Sequence, residues 1–439
     1  MIKTLRNAFK VKDIRNKILY TLMALVIVRL GTLLPAPAIS KDYTSIFFNS
    51  EVLGFFNTLT GGSFKQMSIF ALSITPYISA SIIMQLLTIA IPKLEEMQKE
   101  GEDGRKKIEE LSRYITIGLA VVESLAFAIG FGNSGALDGG PTFTNIMLIV
   151  ASFTAGSAFL MWLGEQITQK GVGNGISIIL LVNIVSTMPS DFIALFNQFV
   201  YNKPVLKAIL ASIIILVVIV LTIVLVLFLQ DSERKIPVQY AKKVQGRRMV
   251  GGQSSHIPLK VNTAGVMPVI FASSLMQFPI VLGSFFGVFP ARERFLPKVL
   301  YMLNQGNWLK FGDGEFKYSL GLLIYIALII FFAYFYTSIT FNPIEVANNM
   351  KKQGGFIPGI RPGKPTTEYL TKVLNYIILI GAIGLIIVSI IPIFFAGVFN
   401  ASVSFGGTSI IIIVGVIIET MKQIESQMLV RHYKGFLND

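Results

Sequence analysis

The sequence predicts an all-α polytopic membrane protein whose ten transmembrane helices form two inverted, pseudo-symmetric halves of five. Three observations carry that expectation. Of the 439 residues, 53% are hydrophobic and only 14% are charged, with a mean hydropathy of +0.66; a soluble chain of this length would not run so short of charge. Apolar runs recur at lengths that suit a bilayer, whose hydrocarbon core of ~30 Å takes roughly 20 helical residues to cross. Finally, a part-polar stretch, SITPYISASIIMQ at 73–85, is echoed by GVMPVIFASSLMQ at 265–277.

The apolar runs lie at about 18–36, 64–91, 115–133, 145–166, 174–190, 207–230, 263–286, 319–340, 371–392 and 405–424. They divide the chain into an N-terminal half over 1–190, an external hinge loop over 191–206 and a C-terminal half over 207–439. The start, MIKTLRNAFKVKDIRNK, has the basic flank of a signal peptide, but no small-residue cleavage site follows, so the first helix is expected to be retained. An even number of spans puts both termini on one side, and the distribution of Lys and Arg chooses that side. Lys3, Arg6, Lys10, Lys12, Arg15 and Lys17 precede the first span, six basic residues fall in 92–114, and seven in 231–262. Lys351, Lys352, Arg361 and Lys364 follow in 341–370, whereas 134–144 holds only Asp138 and 393–404 no charge at all. The exception is 287–318, with Arg292, Arg294, Lys298, Lys310 and Lys317. Both termini are expected to be cytoplasmic. Much of the net charge of +14 then faces anionic lipid headgroups rather than nucleic acid. Two loops on that side exceed what lipid contact needs. One, 231–260, alternates as a hairpin does; the other, 341–370, is rich in Gly and Pro.

The second span is broken. Counted from Pro76, YISASIIMQLLTIAI is only fifteen residues, roughly 22 Å of helix and too short to cross alone. Ahead of it, GGSFKQMSIFALSI at 61–74 is a second short apolar piece behind a Gly–Gly break. One reading is a discontinuous span, which is tolerated at membrane depth only where it is buried in protein or faces water; an ordinary proline-kinked helix is the other. Aligning Pro76 with Pro268 pairs Ile78 with Ile270, Ala80 with Ala272, Ser81 with Ser273, Met84 with Met276 and Gln85 with Gln277. These are the second and seventh spans, each the second helix of its half. Five spans per half makes the repeat inverted, and such repeats place a pathway at their interface. Serine and glutamine on these helices suit a contact that forms and releases, since interhelical hydrogen bonds in membranes average only ~0.6 kcal/mol. Ordinary helix packing would use the same residues.

Absences narrow the function. There is no cysteine, and the two histidines, His256 and His432, lie far apart in polar stretches, which excludes thiolate chemistry, metal clusters and a histidine-based protease. KGVGNGIS at 170–177 lacks the lysine and hydroxyl that close a phosphate loop, so its expected job is to start the fifth span in tight packing. Within the spans the ionisable residues are Arg29, Glu123, Glu165, Glu419 and Lys422. Arg29 and the residues at span ends can snorkel to the interface. Glu123 beside a basic partner in a cavity would point to an ion-coupled transporter of a small solute. A lipid scramblase is a third reading. No catalytic residue, cofactor or metal is expected, and any energy must come from a partner docked on the two long loops.

PYISASIIMQLL, GVGNGISI, GVMPVIFASS, GGFIPGIRPGKPT and GGTSIIIIVGV, in this order along nearly the whole chain, resemble the SecY/Sec61-alpha family, the channel subunits of the Sec protein translocon. The resemblance implies two halves closing like a clamshell around a central hourglass pore that conducts unfolded polypeptide and releases apolar segments sideways into the cytoplasmic membrane of a bacterium. It implies a pore ring of Ile78, Ile82, Ile176, Leu180, Ile270 and Ile412, with Leu180 where the family often has isoleucine. It implies a plug at about 62–74, with Gly62, Ser63, Phe64, Met67, Ile69, Phe70 and Leu72, and a lateral gate with Ser79, Ser81 and Gln85 facing Ser273, Ser274 and Gln277. Arg361 and Lys364, with Lys242, Lys243, Arg247 and Arg248 in the other loop, would dock the motor ATPase SecA or the ribosome. The implied partners are SecE, with SecG as a third subunit, and signal sequences.

Overall fold

The computed structural model describes residues 2–40, 54–133, 135, 137–240, 243–245, 248–250, 254–285, 288, 294–309, 319–399 and 407–435. Among these, ten helices have sixteen residues or more: α1 (Lys12–Thr32), α2 (Thr75–Ala90), α3 (Glu102–Asn133), α4 (Phe143–Lys170), α5 (Gly175–Phe199), α6 (Val205–Asp231), α7 (Met267–Phe285), α8 (Leu320–Thr340), α9 (Lys364–Phe399) and α10 (Gly407–Gly435). Six of the helical stretches, those of α3 to α6, α8 and α9, are long and apolar enough to cross a membrane unaided. Helix α2 meets the same test only when taken with the short helix Pro92–Lys99, and that pair is bent by 100°. The bend has a local cause. Pro92 forces Ile91 out of helical geometry, to φ −111° and ψ 110°, as a residue before proline prefers.

The apolar run expected over 64–91 is not one helix. Regular helix begins only at Thr75, with Pro76 in its first turn, where a missing N–H costs nothing. Residues 60–74 are a chain of turns. The connector expected over 191–206 is also corrected. Helix α5 runs through Pro189 to Phe199, because Asp191 and Leu195 beyond the proline are buried against the rest of the fold; only residues 200–204 separate α5 from α6.

Helix α1 packs on α4 and α5, α3 on α2 and α4, and α4 on α5. In the second group α8 packs on α7 and α9, and α6 and α10 both pack on α9 and on each other. The groups meet along two seams: α7 against α2 and α3, and α5 against α6 and α10. Among the described residues much of α6 is uncovered, with Ile213, Leu216, Val217 and Val220 all exposed, the all-round apolar character of a membrane-spanning helix.

The two long loops fold into one body. Strand β1 (Glu233–Tyr240) pairs antiparallel with β4 (Ser254–Lys260), in the register Ile236 to Ile257 and Val238 to Ser255. Between them β2 (Lys243–Gln245) pairs with β3 (Arg248–Val250). The second loop adds β5 (Gly355–Phe356) to the free edge of β1, giving the order β4-β1-β5. Alternation puts Ile236 and Val238 on the buried side, where they join Leu259, Ala347, Met350 and Ile357. Ala347 and Met350 come from a helix, Pro343–Lys352, capped by the Asn342 side chain at the end of α8. Val238→Asp buries an unpaired charge in this shared core, a change that typically costs several kcal/mol. Limited trypsin digestion should therefore open both loops together, with cleavage after Lys352 rising alongside cleavage after Lys235; cleavage confined to 233–260 would show that the loops fold separately.

Candidate functional site

The six aliphatic residues singled out in the sequence come from four helices and gather in one apolar cluster. Ile78 and Ile82 stand one turn apart on α2, Ile270 lies in the first turn of α7, and Ile412 is in the second turn of α10. Leu180 belongs to the same cluster, and Ile176, one turn before it on α5, is packed against it. Spacings of four residues put each pair on one helix face. The approach of α5 is set by glycine. A Cβ on Gly175 would stand 2.0 Å from the Gly164 carbonyl oxygen, and one on Gly164 would stand 2.5 Å from Ile176 Cδ1. The start of α5 is closed by the Asn174 side chain, which accepts from the Ile176 amide at 3.1 Å, and by Thr168 Oγ1, which accepts from the Gly175 amide at 2.9 Å. The KGVGNGIS stretch thus seats α5 against α4 at the level of Ile176.

Against this cluster lies the turn segment 60–74. Its Phe70 and Ile74 are part of the same apolar cluster as the six, and Ile69 packs on it. Phe64, Met67, Ala71 and Leu72 join a second cluster with Ala120, Phe127 and Phe131 of α3 and Phe153 of α4, with Phe64 edge-on to Phe127 at 5.0 Å. Ser63 is fully buried too, and Gly62 is half-buried. The segment is tied to the chain after α1: the Ala36 amide donates to the Met67 carbonyl at 2.8 Å and the Ile69 amide to that of Leu34 at 2.9 Å. Glycines admit it. A Cβ on Gly31 would fall 1.9 Å from the Phe70 ring, and one on Gly156 would fall 2.1 Å from the Ile69 carbonyl oxygen. The segment is held at a cost. Met67 and Ser73 have φ of 49° and 52°, left-handed positions that cost a non-glycine residue on the order of 1–3 kcal/mol, and the hydroxyls of Ser63 and Ser68 are buried without a hydrogen bond.

The two echoed helices, α2 and α7, are in contact. Ser79, Ser81, Gln85, Ser274 and Gln277 are part-buried, and Gln85 Nε2 donates to Ser81 Oγ at 3.3 Å along α2. Ser273 differs from the rest: it is 1% exposed and accepts from Gln305 Nε2 at 3.3 Å, so its polar partner belongs to its own group of helices. In the loop body Arg361 and Lys364 are exposed, and the Arg361 carbonyl is fixed by Thr366 Oγ1 at 2.9 Å. Lys243 and Arg248 lie on β2 and β3, while Lys242 and Arg247 lie outside the described residues.

Glu123 is 7% exposed in α3, and its Oε2 makes no hydrogen bond. Among the described residues no basic side chain pairs with it, so the observation that would favour an ion-coupled transporter is not met there. Sequence reasoning missed Asn183, Ser186 and the role of Arg29. Arg29 Nη1 donates to the Gly61 carbonyl at 3.2 Å. Asn183 Nδ2 donates to the Leu59 carbonyl at 3.2 Å and to Ser73 Oγ at 2.9 Å. An asparagine in mid-span was the available signal.

Several apolar membrane-length helices with a buried non-helical segment packed among them define a multi-span membrane protein. The SecY family model matches residues 68–421, and the chain is 42% identical over 443 residues to the protein translocase subunit SecY of Halalkalibacterium halodurans, covering all of both chains. The chain belongs to the SecY family. Two solved structures share the fold. One is a SecY protein whose plug domain is described as stabilising the closed state of the translocation channel and maintaining a membrane seal, at TM-score 0.62 and 19% identity over 94% of this chain and 92% of that one. The other is Sec61 in a canine ribosome–channel complex from the endoplasmic reticulum, at TM-score 0.60 and 18% identity over 94% and 93%. The family is one of channel subunits, so conduction rather than catalysis is the activity to be explained.

Cysteine is absent from the chain, so a single introduced thiol reports cleanly. Ala71 is fully buried; Ala71→Cys should resist a hydrophilic maleimide, and adding Gly156→Val should expose it by displacing the Ile69 carbonyl. Equal labelling in both backgrounds would show that the glycine contact does not hold the segment.

Proposed function

We propose that this chain is the pore subunit of a bacterial Sec translocon. It conducts unfolded polypeptide along an axis through Ile78, Ile82, Ile176, Leu180, Ile270 and Ile412, and it releases apolar segments to lipid between α2 and α7. The observation that supports the reading is that Ile78, Ile82, Leu180, Ile270 and Ile412, with Ile176 packed on them, belong to the same apolar cluster as Phe70 and Ile74. A narrow aliphatic ring dewets and blocks ions, while branched side chains part around a sliding chain without demanding a sequence. Residues 62–74 act as the plug. The seam between α2 and α7 is rich in serine and glutamine, whose hydrogen bonds are weak enough to part.

With both termini cytoplasmic, the β-sheet body faces the cytoplasm and presents Arg361 and Lys364, while the sequence of its other loop carries Lys242, Lys243, Arg247 and Arg248. That body docks the energy source, either the motor ATPase SecA or a translating ribosome, as in the ribosome-bound relative of the same fold. SecE and SecG assemble around the helices, and the basic face lies on anionic headgroups.

Ile78→Cys and Ile412→Cys should crosslink to a stalled translocating chain, whereas Val217→Cys, on the exposed face of α6, should not. Labelling at the first two no stronger than at Val217 would remove the pore assignment. Arg361→Glu reverses a charge on an exposed loop tip and should abolish SecA-driven export, measured in inverted vesicles, while the protein still accumulates in the membrane. Normal export by that variant would refute the docking role.

A further inference from the structure

We propose that Asn183 is the clasp that holds the plug shut. This rests on the reading of 62–74 as the plug and assigns the residue that sets how readily it leaves.

One carboxamide binds both ends of the segment. Asn183 sits in the middle of α5 and is 1% exposed. Its Nδ2 carries two protons, and each has an acceptor: the Leu59 carbonyl just before the segment at 3.2 Å, and Ser73 Oγ at its far end at 2.9 Å. Between those points the chain leaves α5 and returns to it, so Asn183 closes the loop as a staple would. Arg29 of α1 adds a second attachment on the Gly61 carbonyl at 3.2 Å, and Ser186 Oγ, one turn along α5 from Asn183, lies 3.3 Å from the same oxygen. Gly61 has φ +67°, and a Cβ there would stand 2.9 Å from the Asn183 Cα and 3.0 Å from Arg29 Nη1. Only glycine lets the backbone pass between the two side chains.

The clasp opposes a segment that is otherwise poised to leave. Left-handed Met67 and Ser73 and the unpartnered hydroxyls of Ser63 and Ser68 all relax when the segment reaches water. The apolar contacts of Phe64, Phe70 and Leu72 pull the other way without direction, because hydrophobic contact resists removal but does not fix register. Hydrogen bonds from Asn183 and Arg29 have both direction and a fixed stoichiometry. Ser73 stands just before the helix that carries Ile78 and Ile82, so any movement of α2 pulls directly on its bond to Asn183. A chain that widens the ring therefore strains the clasp first, and Asn183 and Arg29 act as positioning residues that set the threshold for opening.

The test uses the full-length subunit assembled in its complex and reconstituted in lipid vesicles. Resting ion conductance is compared with export of a substrate whose signal sequence is impaired. Asn183→Leu keeps the shape of the side chain and removes both donors; Ser73→Ala removes one acceptor and leaves Asn183 in place. Asn183→Leu should raise resting conductance on the order of tenfold, as expected when two hydrogen bonds of ordinary net strength are lost. Ser73→Ala should raise it less, and both should improve export of the impaired-signal substrate. A general folding defect would instead lower export of impaired and intact substrates alike, which would overturn the proposal. Deletion of 63–72 provides the independent arm. If the deletion leaks but neither Asn183→Leu nor Ser73→Ala does, the clasp is wrong and the plug stands. If the deletion leaves conductance unchanged, the plug reading falls and the clasp with it. Asn183→Leu added to the deletion should leak no more than the deletion alone; a further increase would place the action of Asn183 elsewhere and overturn the proposal.

Discussion

A peptide group buried away from water must find a hydrogen-bond partner, and in a membrane protein that constraint governs every stretch that is not helix. Residues 60–74 are such a stretch, buried among apolar helices. Short-range turns satisfy part of their backbone, with the amides of Gly61, Met67 and Ser73 donating to carbonyls three residues earlier. The strand-like edge at Leu34 and Ala36 satisfies more, and side chains from α1 and α5 reach in to the Leu59 and Gly61 carbonyls. Each partner lies on a different element. The non-helical segment therefore survives only where α1, α5 and the chain after α1 are all in place, and it can leave when they shift.

Close approach follows from the same need. Backbone cannot donate to backbone across a bulky side chain, so glycine appears wherever the segment or its supports come near. Gly31 accepts the Phe70 ring, Gly156 accepts the Ile69 carbonyl, and Gly164 and Gly175 bring α4 and α5 together beneath Ile176. The packing around Ile176 thus depends on these glycine contacts as much as on the isoleucine itself. Phe70 and Ile74 of the segment share one apolar cluster with Ile78, Ile82, Leu180, Ile270 and Ile412, while Phe64, Met67, Ala71 and Leu72 pack in another.

The sheet body is joined directly to several membrane helices. Strand β1 follows α6 directly and β4 leads back towards α7, while the Pro343–Lys352 helix continues α8 and the Arg361 tip precedes α9. One small core ties all four connections together. A partner pressing on that body acts on four helices of one group at once, which suits a device whose two groups meet along seams rather than through a continuous core.

Much was legible in the chain itself. Local chemistry decided the membrane character, the helix-forming runs and the interruption at Pro76, because hydropathy and proline act within a few residues of where they stand. The repeated Pro–Ile–Ala–Ser–Gln pattern marked α2 and α7 before their contact was seen, and the period of four aligned Ile78 with Ile82 and Ile176 with Leu180. Family resemblance, rather than periodicity, named the jobs. What could not be read was which distant groups would meet. Asn183 and Arg29 looked like isolated polar residues in apolar runs, and their carbonyl acceptors at Leu59 and Gly61 carry no sequence signal because every residue has one. Likewise 191–206 read as a connector between the two halves, yet with Leu195 buried the helix continues to Phe199. Sequence alone determined where backbone could be helical in a membrane; only the tertiary structure decided which non-helical backbone was satisfied, because those hydrogen bonds come from other elements, 32 positions away for Arg29 and 124 for Asn183.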